Sequence, residues 1–390
     1  MTEFKDIPKS SAPKDTILAY SVNIPVGETQ SYTIEFKYAN DESVDQSIDM
    51  NKKLSGTLFI TEGTEPTLLS QILNDNPIRS TRDTYDAVFT NNTTGTLFTA
   101  TEKNVHNTTD TTVYYYAGNT TNNWVKFAGF YWRIIRTNAD GSIRMLYSGT
   151  SHDTTSGYLS TGTSAFNSSS NSPKYVGYMY GDSDADLDKA RTNTNNSTIK
   201  TYIDNWYSNN LSSYTEYLST TAVYCNDRKV PIYSVSNSFD YYVTTRLNAG
   251  NLTYDCEDIK DAFSGSNSEA KLTYPIALMT ADEITYAGGK VNTELTSPYA
   301  WYYLNSVGES ITGSIWWWSL SPFIWNSANS YVWFVFGSSI PGALLTTADV
   351  KYENGVRPAL SLKSCVKYSS GDGSASDPYT IKEIETETGC

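Results

Sequence analysis

Histidine, charged side chains and long apolar runs are all scarce in this chain of 390 residues. Its two histidines, His106 and His152, sit in polar stretches outside any HExxH or HxH spacing. Zinc hydrolysis and Ser-His-Asp catalysis therefore find no support, and both residues read as loop positions. The four cysteines, Cys225, Cys256, Cys365 and Cys390, form no CxxC pair, which argues against metal or redox use. No metal, cofactor or enzymatic activity is expected. Lysine and arginine number 28 against 42 acidic residues, a net charge of −14. That sign disfavours duplex nucleic acid and anionic lipid as partners. No apolar stretch approaches the roughly 20 residues of a spanning helix, and the start Met1-Thr2-Glu3-Phe4-Lys5 lacks a signal-peptide core. The expectation is a soluble chain, or a soluble piece of a longer surface protein.

Aromatic residues are abundant: 31 Tyr, 9 Trp and 13 Phe. Tyrosine gives rigid amphipathic contact area, and Ser, Thr and Asn give adaptable hydrogen bonds, the mixture that binding surfaces use. The same residues suit strands, so an extracellular all-β protein is the plainer reading. An even cysteine count in an acidic, Ser/Thr/Asn-rich chain fits an oxidising exterior. Cys225 with Cys256 is the first pairing to expect and Cys365 with Cys390 the second, among three possible connectivities, with Cys390 alternatively free.

Residues 1–16 read as a disordered lead-in. Over 17–66, alternation such as Tyr32, Ile34, Phe36 and Tyr38 predicts a small β-sandwich for attachment or spacing. A connecting segment, 67–103, carries a short amphipathic helix over Thr67–Asn74. The rest, 104–390, reads as the main domain. Its strongest hairpin runs from Trp124 to Arg136, turns at Asn138-Ala139-Asp140-Gly141 and returns over Ser142–Tyr147. Residues 150–195 are poor in apolar side chains and read as a surface excursion. Within it, Asp182, Asp184, Asp186 and Asp188 alternate, which suits either calcium or a solvated acidic helix start. Asn196-Ser197 caps a helix with Ile199, Tyr202, Ile203, Trp206 and Tyr207 on its buried face. Thr280 and Glu283 have capping-box spacing, with Gly288-Gly289 as the stop.

Six of the nine tryptophans lie between Trp301 and Trp333. Successive strand residues face opposite ways, so Trp316, Trp317 and Trp318 cannot all enter one core. Downstream, Val332 and Val335 are expected inside, with Phe334 and Phe336 outside. Gly337-Ser338-Ser339-Ile340-Pro341-Gly342 then reads as a loop with an apolar tip. An exposed apolar patch with a polar rim marks a contact site; the competing reading is an aromatic-rich core.

Several of these motifs together resemble a known family. They are Trp124-Val125-Lys126-Phe127-Ala128-Gly129-Phe130-Tyr131-Trp132-Arg133, Asn205-Trp206-Tyr207, Cys225-Asn226-Asp227-Arg228, Trp317-Trp318-Ser319-Leu320-Ser321-Pro322, Gly355-Val356-Arg357-Pro358-Ala359-Leu360 and Gly371-Asp372-Gly373. Over about residues 85–382 the chain is similar to C-type-lectin-like domains of Firmicutes surface proteins, related to the formylglycine-generating-enzyme-like fold. In members diversified by retroelements, the C-terminal part carries variable residues on a fixed scaffold. The resemblance implies such slots at Phe323, Ile324, Asn326, Asn329, Phe334, Phe336, Ser338, Ser339, Ile340, Leu345, Thr346 and Thr347. The family's catalytic cysteine motif, the histidine cluster of its iron-dependent branch and the lectin calcium motifs (Glu-Pro-Asn or Gln-Pro-Asp) are absent from the sequence.

The resulting expectation is an α+β, β-rich protein: a C-type-lectin-like domain preceded by a small β-sandwich. It would act at the bacterial cell surface as an adhesin- or receptor-like binder of a protein or glycan on another cell, without membrane insertion of this chain. Trp325 and Tyr331 complete the expected ligand-binding set. The alternatives are a structural pilin or wall subunit, and a secreted carbohydrate-active enzyme.

Overall fold

In the computed structural model of the chain, the described residues are 43, 45, 47, 65–82, 93–157, 161–293, 295, 297–337, 343–345 (backbone only) and 348–384. The chain divides into two compact units, Met1–Glu65 and Pro66–Cys390. The lead-in and sandwich expected over 1–66 fall almost wholly outside the described residues. The 67–103 stretch, read above as a connector, lies within the second unit. Its helix Leu68–Asp75 is capped by Thr67, whose hydroxyl accepts from the Ser70 N–H. Leu68 and Ile72 are buried in the main core, and the strand Thr96–Asn104 pairs antiparallel with Asn107–Tyr115.

The second unit is β-rich with a few short helices. One sheet runs in the order Ile78–Ser80, Thr96–Asn104, Asn107–Tyr115, Phe130–Thr137, Ile143–Tyr147, Pro358–Leu362, Ile276–Leu278, and Trp124–Phe127 also pairs with Phe130–Thr137. The long strand read from Trp124 to Arg136 is thus two strands. They turn at Ala128 and Gly129, both at positive φ (53° and 81°), which a two-residue hairpin needs. A second sheet orders Lys290–Val291, Ala343–Leu345, Ser330–Val335, Trp317–Trp325, Glu353–Gly355 and Thr163–Ala165, with Phe239–Asp240 pairing onto Trp317–Trp325.

The aromatic block sits largely inside. Trp317, Trp318, Trp325, Trp333 and Phe334 are at most 2% exposed. Trp317 and Trp318 are adjacent yet both buried, because the strand that carries them is covered on both faces; of the three, only Trp316 is half-buried. The helix over Thr198–Asn210 starts at its expected cap, Ser197, and buries Ile199, Ile203, Trp206 and Tyr207. The excursion expected over 150–195 is better anchored than its composition implies: Phe166, Val176 and Tyr178 enter the core.

Beneath the first sheet runs a chain of buried ions. Arg136 pairs with Glu102 at 2.6 Å and Glu283 at 2.9 Å, and Arg144 reaches Glu283 at 2.6 Å. Glu283 also closes the predicted capping box with Thr280 on the helix Ala281–Tyr286. Burial pushes its carboxyl up, but the Arg144 and Arg136 guanidiniums outweigh this and hold it at about 2. Arg133 and Arg357 are also buried, and among the described residues neither pairs with a carboxylate. Carbonyls hold them instead, with Arg133 lying over Trp124 and Arg357 over Trp317.

Candidate functional site: the 317–335 hairpin and its edge

The hairpin formed by Trp317–Trp325 and Ser330–Val335 turns over Asn326–Asn329. Asn326 builds the turn: its Oδ1 accepts from the N–H groups of Ala328 (3.0 Å) and Asn329 (2.7 Å). Its amide donates to the Tyr331 hydroxyl at 3.2 Å. Ser327 takes the positive φ of 69° that the turn requires. On one side, Asn329 accepts from the Ser170 hydroxyl at 2.8 Å, and Ser330 donates to the Ser172 carbonyl at 2.7 Å. The tip is therefore held at both strands and across to a neighbouring loop.

The other edge carries a segment that sequence reading passed over. Phe239 and Asp240 pair with Trp325 and Ile324. Ser238 donates to the Trp325 carbonyl at 2.9 Å, and Thr244 donates to the Phe323 carbonyl at 2.7 Å. The Trp325 indole donates to the Val235 carbonyl at 3.0 Å. Residues 229–242 thus run along the hairpin, and they hold three Tyr and three Ser. Seven large apolar side chains are exposed among the described residues, and three belong to this segment: Ile232 (76%), Val235 (37%) and Tyr242 (43%). Next to them Phe323, Ile324 and Tyr331 are half-buried. Between 323 and 331 there is no charged side chain, and Asp240 is the only one between 230 and 242.

The expected ligand-binding residues therefore separate. Phe323, Ile324, Asn326, Asn329 and Tyr331 come together at the tip, each half-buried. Trp325 does not offer its ring outward, because the indole is buried and donates to the Val235 carbonyl. Phe334, expected outside, is 1% exposed. It stacks on Trp316 at 5.1 Å and meets Trp318 edge-on at 6.3 Å. Phe336 is half-buried against Trp316 at 4.5 Å, away from the tip along the strand. Leu345 pairs through its backbone with Phe334, and its side chain lies outside the description. Ser338, Ser339, Ile340, Thr346 and Thr347 also lie outside the described residues. The exposure of Ile232, Val235 and Tyr242 had no sequence signal, since apolar residues next to a strand read as core.

A small cavity lies beside the Cys225–Cys256 disulfide, which forms as expected; Cys365 is also disulfide-bonded. The cavity is lined by Arg136, Arg144, Arg246, Tyr254, Asp227, Asp282 and Glu283, among others, and holds about 20 Å³. That is room for about one water, too little for a substrate. Asp282 accepts from Arg246 at 2.8 Å and from the Thr253 N–H at 3.2 Å. Burial lifts its carboxyl to about 6 despite the Arg246 charge. Each carboxylate here is tied to an arginine or a backbone N–H, and the arrangement joins segments instead of presenting a free acid or base.

The acidic run 182–188 supplies caps and pairs. Asp186 caps the helix Leu187–Ala190, Asp184 accepts from Ser172 at 2.6 Å, and Asp188 pairs with Lys260 at 2.9 Å. Among the described residues no group of three or more His, Cys, Asp or Glu side chains is placed to hold a metal ion. Both histidines sit on serines, His106 on Ser264 at 2.8 Å and His152 on Ser306 at 2.6 Å. Comparison with known proteins gave no match to a protein-family model, to a curated protein or to a solved structure.

Proposed function

We propose that the chain is an extracellular binding protein whose contact surface is the tip of the 317–335 hairpin together with residues 229–242. The observation that carries this reading is the pairing that lays the segment bearing exposed Ile232, Val235 and Tyr242 along the hairpin strand bearing half-buried Phe323 and Ile324, on a backbone pinned from both edges. An exposed apolar group ringed by Ser and Asn gains free energy when a partner covers it, and a pinned backbone loses little entropy on binding. The aliphatic share, Ile232, Val235 and Ile324, favours a protein partner over a sugar, which would stack on rings alone. The Cys225–Cys256 disulfide is compatible with an oxidising exterior. A C-type-lectin-like identity for residues 66–390 is part of the proposal. What supports it is that the late strand Pro358–Leu362 lies between strands from the start and middle of the unit, and that Thr67 bridges to Lys367.

The test compares the wild-type chain with an Ile232→Ser/Tyr242→Ala/Ile324→Ser variant on one array of extracellular proteins and glycans. An Ile259→Ser/Val307→Ser variant, altered at exposed apolar positions outside the two segments, is the control. Binding lost in the triple variant and kept in the control is the expected result. Binding kept by the triple variant would remove this surface from consideration.

A further inference from the structure

Lys200 and Asp204 stand one turn apart on the helix Thr198–Asn210, with Nζ 2.5 Å from Oδ2. The lysine side chain is 0% exposed and that of the aspartate 12%. Three other lysine–carboxylate pairs are far more open: Lys103–Asp110, Lys189–Asp186 and Lys260–Asp188 each have a carboxylate more than half exposed. The buried arginine pairs are bridged on several sides, whereas this one is not. The ammonium has Asp204 as its single hydrogen-bond partner, and Asp204 Oδ1 is buried with none. Nζ lies 5.9 Å from the ring centre of Tyr178, a core residue.

From this geometry we propose that Lys200 and Asp204 condense into an intrachain amide, a covalent strap across one turn of the helix. A dry site with few hydrogen bonds disfavours the ion pair and favours the neutral amine beside the neutral acid. The step starts from the neutral amine beside the neutral acid, and burial acts in that direction on both groups, lowering the Lys200 amine and raising the Asp204 carboxyl from their ordinary values. A desolvated lysine is a competent nucleophile. The Nζ lone pair adds to Cγ and the C–N bond forms. The C–OH bond then breaks, and the hydroxyl leaves with one amine proton as water. Nothing is oxidised or reduced. The i,i+4 spacing already sets the two side chains against each other, so the strap needs no change of helix. The partly exposed side of Asp204 gives the water a way out.

The experiment is intact and tandem mass spectrometry of the full purified chain after unfolding, disulfide reduction and alkylation. The expected mass is one water below the sequence, with a peptide joined between residues 200 and 204 that resists trypsin after Lys200. Lys200→Arg and Asp204→Ala should each restore the full mass. Asp204→Asn should lose one ammonia in forming the same bond. A wild-type chain at full mass with no joined peptide would overturn the proposal, whether or not the variants fold. Water loss that persists in Lys200→Arg would overturn it too, because it would belong to a cyclised aspartate elsewhere.

Discussion

Side chains that look alike in the sequence separate by what covers them. Phe334 and Tyr242 are both large rings in strand-like text, yet one is 1% and the other 43% exposed. Phe334→Ala should cost about 3–5 kcal/mol, the range for emptying a buried aromatic site. Ile232→Ser should stay within about 0.5 kcal/mol, as surface changes do. Urea unfolding of the two variants checks this. Asp282 gives a residue-scale prediction in pH. Its folded-state carboxyl lies at about 6 against an ordinary 3.8, so the folded state holds its proton more tightly. Stability from this group is therefore greatest at low pH and declines as pH rises from about 4 to about 6. Asp282→Asn cannot titrate, so wild type should lose about 2 kcal/mol relative to it between pH 4.5 and pH 7. A constant difference across that range would show that Asp282 titrates normally.

At the scale of elements, local chemistry made the helices legible. The Ser197 cap with its stripe and the Thr280/Glu283 box are each contained in one short stretch of sequence, so local chemistry decides them. The Ala128-Gly129 turn escaped notice because alanine seldom adopts a positive φ, and nothing in Phe127-Ala128-Gly129-Phe130 announces a hairpin. The register of the aromatic strands escaped too. Whether Phe334 faces water depends on Trp316 and Trp318, and period-2 reading cannot supply a cover for the second face. Glu283 shows how one element can be tied to several others: it caps its own helix and meets arginines of two strands. Glu283→Gln should cost about 3–5 kcal/mol, the range for breaking a buried pair from one side. The wild-type pairing should itself persist until pH falls from the ordinary 4.5 toward about 2. Acid unfolding monitored by tryptophan fluorescence measures both.

For the whole molecule, composition foretold a β-rich chain, but many of the tyrosines that suggested binding surface, such as Tyr147, Tyr178 and Tyr302, lie in the core; the tip residues Phe323, Ile324, Asn326, Asn329 and Tyr331 were legible as candidates. The partner segment 229–242 was not, because its place beside Trp325 depends on pairing between residues more than 80 positions apart. One aromatic-rich region divides into an interior block and a narrow, pinned rim. Hydroxyl-radical footprinting of the free chain, read by mass spectrometry, measures that division directly. Ile232, Tyr242 and Tyr331 should oxidise readily, while Trp317, Trp318, Trp325 and Phe334 stay protected until the chain unfolds. Oxidation of Trp325 and Phe334 as fast as Tyr242 in the folded chain would contradict it.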